Sequence, residues 1–293
     1  MKKTPSMAEL TETPENIAAQ KGGPLEIDLT GIVRRRVKGW KGALIPGWGL
    51  RLLERLICQR ELNEMLRMAY PERGSRFSRR ILEHLKISLR VEGLDEVPSG
   101  EPFIFVSNHP LGGLDGIALT RVLGEHYGDD NLRVLVNDML MNVEPLSDIF
   151  LPINKFGRQG RGAASEISAA FASGRQVLMF PAGLVSRLGD DGRIRDLEWH
   201  KAFVSKALEY GRRVVPIRFE AKNSDFFYRF ARWRKKSGLR INIEQALLPR
   251  ELVKARSGEF RIRFGEPIDL RQYVAEGLTQ PQIAARVRAQ IQP

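Results

Sequence analysis

The stretch PFIFVSNHPLGGLDGIAL, residues 102–119, decides how the rest of the chain is read. Its apolar run Phe103, Ile104, Phe105, Val106 stops at Asn108-His109-Pro110. A pair of glycines follows, then Asp115, then the helical spacing Ile117, Leu119, Val122 and Leu123. A short apolar run bounded by Pro and Gly predicts a buried strand, and the periodic run predicts a helix. His109 then lies on the loop leaving the strand, with Asp115 in the first turn of the helix. Open α/β sheets bind ligands at that end of their strands. A histidine and a carboxylate brought together there can act as a base and the group that orients it. The plainer alternative is a loop histidine bonded to backbone and an aspartate favoured by capping and the helix dipole.

On either side of this stretch, short apolar runs alternate with helical patterns. Strands are predicted at Ile87–Val91, Phe103–Val106, Arg133–Val136, Gln176–Phe180, Arg213–Phe219, Arg240–Ile243 and Phe260–Phe264. Helices are predicted at Gly116–His126, Gly162–Ala172, Asp196–Tyr210, Ser224–Lys236 and Pro281–Gln290. Such alternation implies an α/β fold, a largely parallel mixed sheet flanked by helices. Residues 1–25 are polar, rich in Pro and Gly and without periodicity, and read as a mobile tail. Residues 26–86 read as an amphipathic helical extension that docks on membrane, with packing on the core as the competing reading, and 87–293 as the catalytic domain.

A second strand exit, Val177-Leu178-Met179-Phe180-Pro181-Ala182-Gly183, is trailed by Ser186 and Arg187. Between the two exits lies Leu151-Pro152-Ile153-Asn154-Lys155-Phe156-Gly157-Arg158, and beyond both lies Val214-Val215-Pro216-Ile217. In order and spacing these resemble the four sequence blocks of the lysophospholipid (glycerolipid) acyltransferase family, over about residues 85–270. Two departures stand out. His109 and Asp115 enclose five residues where that family usually has four, and the flexible Gly112-Gly113 pair is able to absorb the extra one. In the third block Ala182 stands for the usual Glu, Leu184-Val185 stand for Thr-Arg, and Arg187 matches only after a shift of two positions. The pattern NHPLGGLDG, FPAGLVSR, DLEWHKAFVSKA is most similar to a bacterial branch associated with O-acylation of lyso-amino-acid lipids, the lyso forms of glycine or ornithine lipids.

The resemblance implies an O-acyltransferase of membrane lipid biosynthesis. The acyl donor would be acyl carrier protein or acyl-CoA, and the acceptor a lyso-amino-acid lipid or lysophosphatidic acid. A hydroxyl attacking a thioester must lose its proton as the bond forms, and histidine titrates in the range that suits this. His109 takes the role of base, with Asp115 fixing its tautomer. Ser107 lacks a nucleophile-elbow context and Ser186 reads as a turn residue, so direct transfer without an acyl-enzyme fits best. Asn108 is expected to hold the loop and to be one of the substrate contacts, or simply to end the strand. Pro181 and Gly183 would let a ligand approach main-chain N–H groups. Lys155, Arg158 and Arg187 are candidates to hold an anionic headgroup, because guanidinium pairs bidentately with phosphate or carboxylate. Solvated surface charge is the competing reading for all three.

Composition narrows the partners. The chain has 293 residues, an apolar fraction of 42%, a net charge of +12 and one cysteine, Cys58. Intrachain disulfides are excluded, a reducing cytoplasmic setting fits, and neither a metal site nor a cofactor is expected. The opening MKKTPSMAELTETPEN has no apolar core of a secretory signal, and no run approaches the roughly 18 apolar residues of a membrane span. Residues 31–60 carry eight basic residues, among them Arg34, Arg35 and Arg36, against Glu54 alone. Trp40 and Trp48 lie among them, and on the predicted helix 224–236 Phe226, Phe230 and Trp233 fall on one face, with Phe227 beside them and Arg229, Arg232, Lys235 and Lys236 opposite. Aromatics at that spacing are ordinarily core. The alternative is a face for an anionic leaflet, which places the protein peripherally on the inner side of the cytoplasmic membrane. Two other functions compete: a catalytically inactive lipid-binding relative, and a basic nucleic-acid-binding protein. No nucleic-acid motif is visible, and binding to nucleic acid would leave the His109–Asp115 loop unexplained.

Overall fold

The computed structural model describes residues 23–31, 47–137, 140–141, 143–153, 161–238 and 243–291. At its centre is β2 (Ile104–Ser107), every side chain of which is buried. A continuously apolar strand must be covered on both faces, which places it inside a parallel sheet. β2 is flanked by β5 (Gln176–Met179) and β8 (Val214–Glu220), both parallel to it. β3 (Leu132–Asn137) and β4 (Phe150–Ile153) extend the sheet parallel on the β5 side. On the other side β9 (Glu259–Phe264) runs antiparallel to β8, and β1 (Ser88–Glu92) runs parallel to β9. The seven strands follow the order β1-β9-β8-β2-β5-β3-β4. A small hairpin, β6 (Arg187–Leu188) with β7 (Ile194–Arg195), stands apart.

Ten helices are described: α1 (Gly47–Leu56), α2 (Gln59–Ala69), α3 (Gly74–His84), α4 (Gly113–Tyr127), α5 (Arg161–Ala172), α6 (Ala202–Tyr210), α7 (Asp225–Lys236), α8 (Leu248–Lys254), α9 (Arg271–Ala275) and α10 (Gln280–Ile291). The side chains Phe105, Leu178, Val215 and Ile217 pack with Leu62, Phe77, Ile81, Leu119 and Leu123 of α2, α3 and α4. The alternate side chains Ile104, Val106, Val177 and Val214 pack with Phe171, Phe203, Ile283 and Val287 of α5, α6 and α10. Phe103, Phe105, Phe203 and Phe219 are fully buried, and each contributes roughly 1.5–3 kcal/mol of transfer free energy. The expected boundary at residue 86 therefore separates nothing in the packing. α2 and α3 belong to the main core, while among the described residues before β1 the helix α1 lies largely outside it.

The ends of the central strands differ. At the amino ends, the Gln176 side chain accepts from Phe103 N at 2.7 Å and donates to Glu101 O at 3.1 Å. The buried Arg212 guanidinium donates to the carbonyls of Arg175 at 2.7 Å and Ala170 at 3.2 Å. Burial pulls its pKa down to about 10. The amino edge is thus bolted shut, while the carboxyl edge opens into the loops that carry the site.

Several elements depart from the sequence reading. β4 is an edge strand containing Pro152, a residue that argues against a central strand and tolerates an edge. The predicted helix over 196–210 begins only at Ala202. Residues 196–200 form neither helix nor strand and are held by contacts to the site loops, with His200 N donating to Pro181 O at 3.1 Å. The predicted strand at 240–243 lies outside the described residues except for Ile243, which opens a short 3-10 turn. No helix among the described residues is long and apolar enough to cross a membrane.

Candidate active site

The loop leaving β2 places His109 Nδ1 3.1 Å from Asp115 Oδ1. The aspartate is fully buried while the imidazole keeps 19% of its surface exposed, so the pair has a dry end and an accessible end. Asp115 is oriented by main chain: Oδ2 accepts from Leu111 N at 2.9 Å and Gly112 N at 3.3 Å, and Oδ1 from Gly116 N at 2.9 Å. Those amides belong to the loop end and first turn of α4, where N–H groups have no partner within the helix. Gly112 caps the helix with φ +81°, a conformation that L side chains rarely adopt. This reversal takes up the extra residue between His109 and Asp115 and returns the carboxylate to the imidazole. The Phe180 ring lies against His109 with centroids 4.4 Å apart, so the exit of β5 walls the base.

Asn108, 5% exposed, ends β2 by mimicking a strand partner. Its Oδ1 accepts from Phe219 N at 2.7 Å and its Nδ2 donates to Phe219 O at 2.9 Å, tying the loop to the end of β8. The expectation that it holds the loop agrees with this geometry. Its assignment as a substrate contact does not, because both ends of the amide are engaged by backbone. Asn223 grips the same loop from the far side, its Nδ2 donating to Pro110 O at 3.0 Å. Its own N–H donates to Tyr228 Oη at 3.1 Å. Burial pushes the Tyr228 phenol up to about 12.

A family model described as Acyltransferase matches residues 40–291. The chain belongs to that acyltransferase family. A protein of Phocaeicola vulgatus named lyso-glycine lipid O-acyltransferase is 42% identical over 242 residues, covering 83% of this chain and 86% of that one. A protein of the same name from Bacteroides thetaiotaomicron is 41% identical over 243 residues, covering 83% and 88%. A crystal structure of the 1-acyl-sn-glycerophosphate (LPA) acyltransferase PlsC from Thermotoga maritima covers 90% of this chain and 94% of that one, at 16% identity and a TM-score of 0.45. That last likeness is too loose to add to the topology above.

The acyltransferase brings only some of the residues expected from sequence to the dyad. Pro181 and Gly183 lie on the turn leaving β5, with Gly183 at φ +61° and its N–H donating to Phe180 O at 2.9 Å. That amide closes the turn. The expectation for Arg187 is corrected. Its Nη2 donates to Glu244 Oε1 at 2.8 Å, its Nη1 donates to Val185 O at 2.6 Å, and its guanidinium lies 5.8 Å from the Phe227 ring centroid. Arg234 clasps the same fully buried Glu244 at 2.8 Å. Burial lowers the Arg187 pKa, opposed by the Glu244 charge. Arg187 is thus part of an internal Arg–Glu–Arg cluster instead of a surface cation awaiting a headgroup. Lys155 and Arg158 lie outside the described residues, as do Arg34, Arg35, Arg36 and Trp40. Trp48 and Trp233 are described and exposed.

Sequence reading missed the carboxylates that build the walls. Glu244 sits in a segment without periodicity, and Asp196 stood at the start of a predicted helix. Ser107 Oγ donates to Asn108 O at 2.8 Å, so the hydroxyl beside the dyad is engaged by backbone.

Proposed function

We propose that the enzyme transfers a fatty acyl group from a thioester, acyl carrier protein or acyl-CoA, to the free hydroxyl of a lysolipid. Its preferred acceptor class is the lyso-amino-acid lipids. The observation that carries this reading is the His109–Asp115 pair, 3.1 Å apart at the carboxyl edge of the central strands, in a chain 42% identical to a lyso-glycine lipid O-acyltransferase. In the proposed step Asp115 holds Nδ1, and Nε2 removes the acceptor's hydroxyl proton as its oxygen attacks the thioester carbon. The C–O ester bond forms, the C–S bond breaks, and the proton passes from His109 to the departing thiolate. General-base help of this kind is worth roughly a hundred- to ten-thousand-fold. No serine is required as a covalent carrier, in keeping with the backbone-engaged Ser107.

The acceptor is met at a bilayer, and two helices support peripheral binding at the inner face of the cytoplasmic membrane. On α1, Trp48 and Leu52 are 66% and 59% exposed, beside Arg51 and Arg55. On α7, Phe226 and Trp233 are 42% and 57% exposed, and Phe230 stacks between them. Leu56 of α1 and Phe230 of α7 pack against the same cluster as Val185, which faces Gly112 at the dyad loop. The two aromatic faces and the site therefore share one wall.

Purified protein incubated with acyl carrier protein and acyl-CoA thioesters, against lyso-glycine lipid, lyso-ornithine lipid and lysophosphatidic acid, tests the reading by mass spectrometry of the products. An O-acylated amino-acid lipid is expected. Acylation of lysophosphatidic acid alone would move the acceptor class, and no transfer from either donor would overturn the reading.

A further inference from the structure

We infer that Asp196 is a positioning residue for acyl transfer, holding the His109 peptide so that the imidazole faces Asp115. This inference rests on the proposed function for its kinetic test. The Asp196 side chain is 3% exposed, and its Oδ1 accepts from His109 N at 3.1 Å and from Ser186 Oγ at 2.6 Å. Its Oδ2 accepts from Trp199 Nε1 at 2.9 Å, and its main-chain carbonyl accepts from Arg288 Nη2 at 2.6 Å. Ser186 N in turn donates to His109 O at 2.9 Å.

The His109 residue is therefore gripped at both polar ends of its backbone. Asp196 takes its N–H and Ser186 takes its carbonyl, while Asp196 also holds the Ser186 hydroxyl. Three separate stretches of chain meet in this knot: the exit of β2, the exit of β5 and the irregular segment before α6. A buried carboxylate is costly unless its oxygens are satisfied, and here N–H and O–H donors fill both. The surrounding segment gives up regular structure to do so, since residues 196–200 form neither helix nor strand and α6 begins only at Ala202. Trp199, 3% exposed and edge-on to Phe203 with centroids 5.8 Å apart, anchors that segment in the core. His109 thus hangs from a rigid base although its ring reaches the surface. Rigid support is what a catalytic base needs, because a displacement of about 1 Å costs on the order of a hundred-fold in rate.

The test compares Asp196→Ala, Asp196→Asn and Ser186→Ala with wild type and His109→Ala. Kinetics are measured with the acyl donor and lysolipid accepted by wild type. Histidine-selective NMR of the four imidazoles is recorded in parallel, with His109 assigned by its loss in His109→Ala. Asp196→Ala is expected to lower kcat by roughly a hundred-fold with KM for both substrates within about twofold of wild type. Asp196→Asn, which keeps an acceptor oxygen, should recover part of that loss, and Ser186→Ala should show a smaller loss of the same kind. The His109 resonances should shift or multiply in Asp196→Ala while those of His84 and His126 stay in place. Unchanged His109 resonances with an unchanged kcat would overturn the inference, as would a loss confined to KM. A wild type without transfer would defeat the functional reading, and the NMR comparison would still decide the positioning role. If Asp196→Ala does not fold, the same two readouts on Ser186→Ala and Asp196→Asn decide it.

Discussion

At the residue scale the site depends on a few polar groups whose roles differ although they touch. In the proposed mechanism His109 is the base, so His109→Ala is expected to abolish acyl transfer while the circular dichroism spectrum and melting temperature stay near wild type. Asp115 does two jobs, orienting the imidazole and accepting the amides of Leu111, Gly112 and Gly116. Asp115→Asn puts an amide donor against those donors, and kcat is expected to fall by as much as about ten-thousand-fold, the scale of the corresponding change in hydrolase triads. Retention of a tenth of the wild-type rate by either variant, with chemistry limiting, would remove the pair from the mechanism. Tyr228 tests burial in the neighbouring wall. Its phenol ionises near 10 in an unfolded chain and near 12 in the fold. Its contribution is therefore fully present below about pH 10 and is lost as pH rises towards 12. Tyr228→Phe leaves Asn223 N without its acceptor and should cost about 1–3 kcal/mol in denaturant titrations at neutral pH. In that variant the decline in stability between pH 10 and pH 12 should be shallower than in wild type.

At the element scale, what was readable followed from periodicity, and what was not followed from contacts between distant segments. β2, β5, β8 and β9 announced themselves as short apolar runs, and α4, α5, α7 and α10 as helical spacing within a few residues of their ends. β4 was hidden by its Pro152, and α8 and α9 are too short to carry a period. The His109–Asp115 pair was legible because both residues lie within one strand–loop–helix passage. Asp196 and Glu244 were not, because nothing in their local sequence says that the β2 exit or Arg187 will come to them. α7 illustrates the limit. Its pattern grouped Phe226, Phe230 and Trp233 on one face, but the face turned to the core is that of Phe227 and Ala231, about a quarter-turn away. The start of α4 makes the most testable case. A Cβ on Gly112 would lie 2.9 Å from Leu248 Cδ1, and φ +81° would be strained whatever the space. Gly112→Ala is expected to lower stability by about 1–2 kcal/mol and to lower kcat more than the stability loss explains, since the cap sets where Asp115 points. A Gly112→Ala enzyme with wild-type kcat would separate the cap from the catalytic geometry.

At the scale of the whole molecule, the excess of positive charge is unevenly placed. At one end of the sheet the cations are largely matched: Glu92 meets Arg90 at 2.7 Å and Arg263 at 3.2 Å, and Glu220 meets Arg218 and Arg263 at 3.2 Å. Along α7, by contrast, Arg229 and Lys236 stand exposed beside the aromatic ridge and Lys235 is exposed on the other side of the helix, while Arg51 and Arg55 stand exposed beside Trp48 on α1. Basic side chains near an anionic leaflet contribute on the order of 1 kcal/mol each, and that share is screened by salt. Insertion of the aromatic rings is not screened. The protein is therefore expected to sediment with vesicles containing anionic lipid, to bind neutral vesicles weakly, and to be released by salt only in part. Trp48→Ala combined with Trp233→Ala should convert partial release into complete release. Charge reversal at Arg229, Lys235 and Lys236 should instead weaken the anionic preference, and it should slow turnover on vesicle-borne lysolipid more than on lysolipid dispersed in detergent. Equal binding to neutral and anionic vesicles would remove the electrostatic half of this account. Complete release of wild type by salt would remove the aromatic half.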